Sequence, residues 1–236
     1  MTQPGQSGQS GGDAMESLYP FLYADSSDTD SVLEQVRAST VAKAEEILRL
    51  RRDICERDGE RLAQCARAAA RRFGAGGRLF AFGNGGSATD AQQLATLFLR
   101  DSELPAFGLA NETAVVTALC NDIGVDVVFA RQIAASGGPD DIAVGLSTSG
   151  NSDNMLRAFD EARRRGMLTI GLAGYDGGKM AELNSIDYLF IAPSSSVHRI
   201  QEAQTTVYQV FWELTVSALA TGQDAEEVAH VPRHTG

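Results

Sequence analysis

Five short apolar runs after Gly77 constrain this chain more than any other feature. They are Arg78–Phe82, Ala106–Ala110, Ile142–Ser147, Leu168–Ala173 and Asp187–Ala192. Between them lie helical patterns at 88–100, 113–120, 126–136, 152–166 and 178–183, and a long one follows near 198–220. Strands that alternate regularly with helices require right-handed crossovers, which build a mostly parallel sheet. The expected fold class is therefore α/β: a three-layer α/β/α sandwich with a five-stranded parallel sheet. Apolar positions at helical spacing precede it. Val32, Val36, Val41, Ile47 and Leu48 fit one stripe; Ile54, Leu62, Cys65, Ala66 and Ala69 fit another. They read as two N-terminal helices, capped by Asp30 or Ser31 and ended by Gly74, Gly76 and Gly77.

With 236 residues, and about 150 residues as a soft measure of one domain, a single domain over 30–221 accounts for the pattern. Residues 1–29 and 222–236 then form tails. The first 14 residues are mostly Gly, Ser and Gln and can bury little. Leu18, Tyr19, Phe21, Leu22 and Tyr23 are followed by an acidic run. Residues 18–23 read either as a docking element for a protein partner or as a sticky linker.

Charge narrows the classes of function. Lys and Arg number 20 against 31 Asp and Glu, a net charge of −11. A nucleic-acid surface needs clustered cations, and so does an anionic membrane, so neither partner is expected. The opening MTQPGQSGQSGGDAMES has neither the basic nor the apolar stretch of a secretory signal. No apolar run approaches the ~18–20 residues of a spanning helix. Cys55, Cys65 and Cys120 form no metal-binding spacing and read as buried reduced thiols of a cytoplasmic protein.

In a parallel sheet, ligands sit at the carboxyl ends of strands beside helix N-termini. Two loops there are unusual. Gly83-Asn84-Gly85-Gly86-Ser87 follows the first run. Its glycines permit close backbone approach, and Ser87 with Asp90 three residues on forms a capping arrangement for the next helix. It has neither dinucleotide-fingerprint nor P-loop spacing. Ser147-Thr148-Ser149-Gly150-Asn151-Ser152 follows the third run, with four hydroxyls in six residues. Hydroxyls and the amides of a starting helix bind a phosphate monoester without a cation. That suits an acidic protein holding a phosphorylated metabolite.

GNGGSATDAQ (83–92), NDIGVDVVFARQ (121–132), GLSTSGNS (145–152), GYDGGKMA (174–181) and HRIQEAQ (198–204) occur in this order. Together they resemble the sugar isomerase (SIS) domain family, and within it the phosphoheptose isomerases, over roughly residues 30–220. The resemblance implies the SIS fold and a homotetramer with sites at subunit interfaces; the residues themselves leave a dimer open. It implies that Ser147, Thr148, Ser149 and Ser152 grip a sugar phosphate. Asn84, Gly85, Gly86 and Ser87 of the glycine loop, with Asn121 and Asp122, would hold sugar hydroxyls, and Gln201 would face the same site. The implied chemistry is aldose–ketose isomerisation of sedoheptulose 7-phosphate through an enediol, with zinc organising the site.

The chain departs from that pattern. The isomerases carry a histidine and a glutamate one turn apart where Gln93 and Leu97 stand here, and a further histidine where Gln209 stands. Only Gln201 remains of four expected ligands, and amides are poor substitutes for imidazole on zinc. No metal site of the usual kind, and no other cofactor, is expected. Replacement bases are His198 and Glu202, with Asp90 and Asp122 as further possibilities. His198 reads equally as a helix-start residue touching substrate or a neighbouring subunit, and Glu202 as a partner of Arg199 or Arg131. Ile200, Val207, Val210, Phe211 and Leu214 read as core or interface positions, Tyr208 and Trp212 as packing between subunits, and Arg163–Arg165 as a solvated face. Two functions follow. The first is a phosphoheptose isomerase-like enzyme acting on a ketose phosphate. The alternative is a non-catalytic scaffold that senses a sugar phosphate or binds a protein, like the family's replication-initiator-associating members.

Overall fold

The computed structural model describes residues 29–221. The chain divides into two compact units, Met1–Glu46 and Ile47–Gly236. The first helix, α1, runs from Thr29 to Gly74 without a break. Two helices were expected from the two stripes; one forms, and Gly59 inside it does not break it, since an interior glycine costs a helix only about 1 kcal/mol. In the first unit the described segment is this helix's opening, exposed on nearly all sides, with Thr40 donating to the Val36 carbonyl at 2.8 Å. The possible docking element at 18–23 lies outside the described residues.

The second unit holds the sheet. Its strands are β1 (Leu79–Gly83), β2 (Ala106–Gly108), β3 (Ile142–Leu146), β4 (Leu168–Gly174) and β5 (Tyr188–Ala192), ordered β2-β1-β3-β4-β5 and all parallel. The helices between and after them are α2 (Gly86–Ser102), α3 (Thr113–Asp122), α4 (Val128–Ser136), α5 (Asp153–Arg164) and α6 (Val197–Thr221). Single 3-10 turns occupy Val125–Val127 and Gly178–Glu182. Every residue of β1, β3 and β4 is buried. That is why these strands read as continuous apolar runs rather than as alternating ones.

Alternation survives inside the core. Leu79, Ala81, Ile142 and Val144 join Phe73, Leu94, Phe98, Tyr208 and Phe211 from α1, α2 and α6 on one face of the sheet. Phe80, Phe82 and Ala143 join Phe129, Ile133, Met155 and Phe159 from α4 and α5 on the other. Three layers result, as expected. Tyr208 is part of this chain's own core, and the Trp212 indole donates to Ser102 Oγ at 2.8 Å, so both find partners within one subunit. Arg163 and Arg164 are exposed and Arg165 half-buried, so the run is a solvated face as expected, and its charges are paired: Arg163 with Asp187, and Arg164 and Arg165 with Glu161. Cys65 is buried and Cys120 half-buried, but Cys55 is exposed on α1.

The β5 margin is closed by side chains of α1. Arg57 donates to the Ile191 carbonyl and Arg61 to the Leu189 carbonyl, and the Arg61 guanidinium lies over the rings of Tyr188 and Phe190. Among the described residues no helix is long and apolar enough to cross a membrane.

Candidate functional site

β1 and β3 are neighbours, with Gly83 opposite Leu146 in register, so the two unusual loops leave the sheet side by side. The glycine loop turns at Gly85, whose φ of 56° is a left-handed value that a side chain disfavours. Helix α2 therefore starts at Gly86. Ser87 lies inside its first turn, 5% exposed, and no side chain caps the helix. The expected Ser87 cap is thus replaced by a glycine turn, because Gly85 makes the corner two residues earlier. Gly83 is required for close approach: a Cβ there would stand 2.6 Å from the Ser87 carbonyl oxygen and 2.9 Å from that of Leu146.

The serine loop folds back on itself. Ser147 Oγ accepts the Gly150 N–H at 3.0 Å, and Ser149 Oγ accepts the Asn151 N–H at 3.3 Å. Both hydroxyls are used as acceptors there, which leaves their hydrogens free to donate. Ser152 stands at the N-cap of α5, yet its hydroxyl makes no cap bond, so it too is available. The loop after β4 supports this one from below: Met180 N–H donates to the Gly150 carbonyl at 3.0 Å and Lys179 N–H to Asn151 Oδ1 at 3.0 Å. Hydroxyl donors at the positive end of a helix are what an anion requires.

Side chains tie the two loops together and to α6. Asn84 and Asn154 exchange hydrogen bonds, each Nδ2 donating to the other's Oδ1 at 2.9 Å. Gln201 Nε2 donates to Asp90 Oδ2 at 3.4 Å, and a Cβ on Gly86 would collide with that same Gln201 amide. Gln204, 1% exposed, donates from Nε2 to the Ser147 carbonyl at 3.3 Å, while its Oε1 has no partner among the described residues. Burial pushes the Asp90 carboxyl above the usual aspartate value, and the Gln201 bond partly opposes this. Asn154, Gln204 and Asn151 had not been singled out. Asn154 has no signal beyond its place one turn after the serines, since its partner is 70 residues away.

The remaining candidates are placed as follows. Glu202 is bound to Arg199 at 2.7 Å, the ion pair considered for it above. His198 is exposed in the first turn of α6. Asn121 Nδ2 donates to Asp122 Oδ1 at 2.8 Å at the end of α3, a helix with no buried residue, and among the described residues neither side chain bonds to either loop. Asn84, Gly86, Ser87, Ser147, Ser149, Ser152 and Gln201 are thus gathered at adjoining strand and helix ends, and Asn121 with Asp122 stands apart from that hydrogen-bonded set.

The zinc implied by the resemblance is not suited to the donors present. Zinc is held by imidazole, thiolate or carboxylate. Gln93 and Gln209 are exposed amides, and Leu97 is 8% exposed within the apolar core.

The SIS domain profile matches residues 44–174. The phosphoheptose isomerase of Rhodospirillum rubrum is 42% identical over 173 residues, which cover 68% of this chain and 91% of that one. That of Nitratidesulfovibrio vulgaris is 38% identical over 187 residues, covering 77% and 89%. Among solved structures, phosphoheptose isomerase GmhA from Neisseria gonorrhoeae superposes with a TM-score of 0.72 at 34% identity, covering 77% of this chain and 99% of that one.

Proposed function

The chain belongs to the SIS domain family, and on that footing we propose that it is a sugar-phosphate aldose–ketose isomerase. Its substrate in this reading is sedoheptulose 7-phosphate or a ketose phosphate of similar length. The observation that carries the proposal is the serine loop, where Ser147 and Ser149 spend their oxygens on backbone N–H groups and keep their hydrogens for an anion. The likeness to phosphoheptose isomerases supports the choice of substrate class.

In this proposal the phosphate rests on Ser147, Thr148, Ser149, Ser152 and the start of α5, and the sugar hydroxyls meet the glycine loop. A base takes a proton from C1 as the C2 carbonyl oxygen gains one, and the resulting enediol receives a proton at C2 as the C1 hydroxyl gives one up. The base must lie within hydrogen-bond reach of the carbon acid. His198 is assigned that role, with Glu202 beside it held by Arg199. The reaction runs without the family's zinc, since Gln93, Leu97 and Gln209 cannot replace the missing donors. The protein is further proposed to be cytoplasmic and to assemble as a homotetramer.

The test is NMR observation of sedoheptulose 7-phosphate with purified protein, with added zinc and with a chelator. Turnover in chelator that His198→Ala abolishes while binding persists supports the proposal. Turnover unchanged by His198→Ala removes that residue from the mechanism. Saturable binding without turnover favours the sensing scaffold instead.

A further inference from the structure

The stretch Gly83-Asn84-Gly85-Gly86 contains one side chain, that of Asn84. Three glycines leave the backbone with more freedom than any other composition would. Yet a loop that reads sugar hydroxyls through its N–H groups must hold them in fixed directions. Asn84 supplies the restraint, and its partner is Asn154. Asn84 is exposed, whereas Asn154 is 6% exposed in the first turn of α5, behind the serine loop. The two amides face each other with both bonds at 2.9 Å. Each spends one N–H and one oxygen lone pair, so only two primary amides can make the pair in full. Beyond the pairing of Gly83 with Leu146 at the end of β3, the loop bonds within itself or to the start of α2, such as Ser87 N–H to the Asn84 carbonyl at 3.1 Å.

We propose that Asn154 is a positioning residue that fixes the glycine loop against the phosphate loop, so that recognition of the sugar, but not of the phosphate, depends on it. The inference rests on the isomerase reading of the same site. Asn84 then serves the sugar mainly by orienting the loop, and the hydroxyl contacts fall to the N–H groups of Gly85 and Gly86. The serine loop keeps its own bonds to Gly150, Asn151 and Gln204 when the amide pair is broken. A ligand that is phosphate alone therefore does not register the loss.

Titration calorimetry of the full chain with sedoheptulose 7-phosphate and with inorganic phosphate tests this. Asn154→Ala is expected to weaken the sugar phosphate about tenfold, which is about 1.4 kcal/mol, and to leave inorganic phosphate within about twofold. The double variant Asn84→Ala with Asn154→Ala should be no weaker than the worse single variant, because both remove one interaction. Asn154→Leu, which keeps the branched shape at Cγ, should repeat the pattern if the alanine variant folds poorly. Equal losses for both ligands, or additive losses in the double variant, overturn the proposal. A wild-type chain that binds no sugar phosphate overturns the isomerase reading. In that case amide hydrogen exchange still judges the clasp: Gly85 and Gly86 should exchange faster in Asn154→Leu, and unchanged exchange means that Asn154 does not hold the loop.

Discussion

Gln201 reaches from α6 to Asp90 on α2, its amide donating to Oδ2 at 3.4 Å. This bond joins the last helix to the first turns after the glycine loop, and it sets a carboxylate in a half-buried position where burial raises its pKa.

That shift has a direction in stability. A carboxyl whose folded pKa lies above its unfolded value binds protons more readily when folded, so stability falls as pH rises through the interval between them. The interval begins near the ordinary aspartate value of 3.8. Asp90→Asn, which keeps an acceptor for Gln201, should match or exceed the wild-type melting temperature at pH 7. Its advantage should shrink as pH is lowered through that interval, as thermal scans between pH 3.5 and 8 would show. A variant less stable than wild type at pH 7 contradicts this.

Gly83 and Gly86 should respond differently to alanine. A Cβ at Gly83 meets the main-chain carbonyls of Ser87 and Leu146, which can move only with the start of α2 and the end of β3. Gly83→Ala is expected to cost about 1–3 kcal/mol by chemical denaturation. A Cβ at Gly86 meets only the tip of Gln201, which can swing away. Gly86→Ala should therefore cost under about 1 kcal/mol but break the bond to Asp90, visible as a changed Asp90 titration by carboxyl-carbon NMR.

Gln204→Leu leaves the Ser147 carbonyl without its donor in a site closed to water. A loss of about 1–2 kcal/mol is expected. Inorganic phosphate should bind more weakly as well, because the serine loop loses its tie to α6. Calorimetry and urea denaturation measure the two effects separately, and unchanged phosphate affinity would dissociate Gln204 from the loop.

Leu97 tests the argument about metal donors. Leu97→Glu alone places an unpaired carboxylate among apolar neighbours and should cost about 3 kcal/mol or more. The triple variant Gln93→His, Leu97→Glu, Gln209→His recreates three donors beside Gln201 and should gain a zinc-dependent rise in melting temperature. No zinc response in the triple variant would mean that these positions are not arranged as the resemblance implies.

The order of strands and helices was legible in sequence because a parallel sheet covered on both faces demands unbroken apolar runs, such as Ile142–Leu146 and Leu168–Gly174. The N-terminal segment reads as two helices because its apolar positions fall into two stripes, whereas one helix carries both, with Val36, Val41 and Leu48 of the first stripe each 56% exposed. The Ser87 cap failed because Gly85 turns the chain first. The serines of the phosphate loop announced themselves by density. Asn154 and Gln204 did not, because an amide gains its meaning only from a partner that folding brings near, 70 residues away for one and 57 for the other.

Arg57 and Arg61 have a consequence for the exposed border of the sheet. They occupy the outward carbonyls of Ile191 and Leu189, so a foreign strand arriving at that border finds its acceptors already taken. Runaway sheet extension is opposed on this side by two cationic latches that the chain supplies from its own α1.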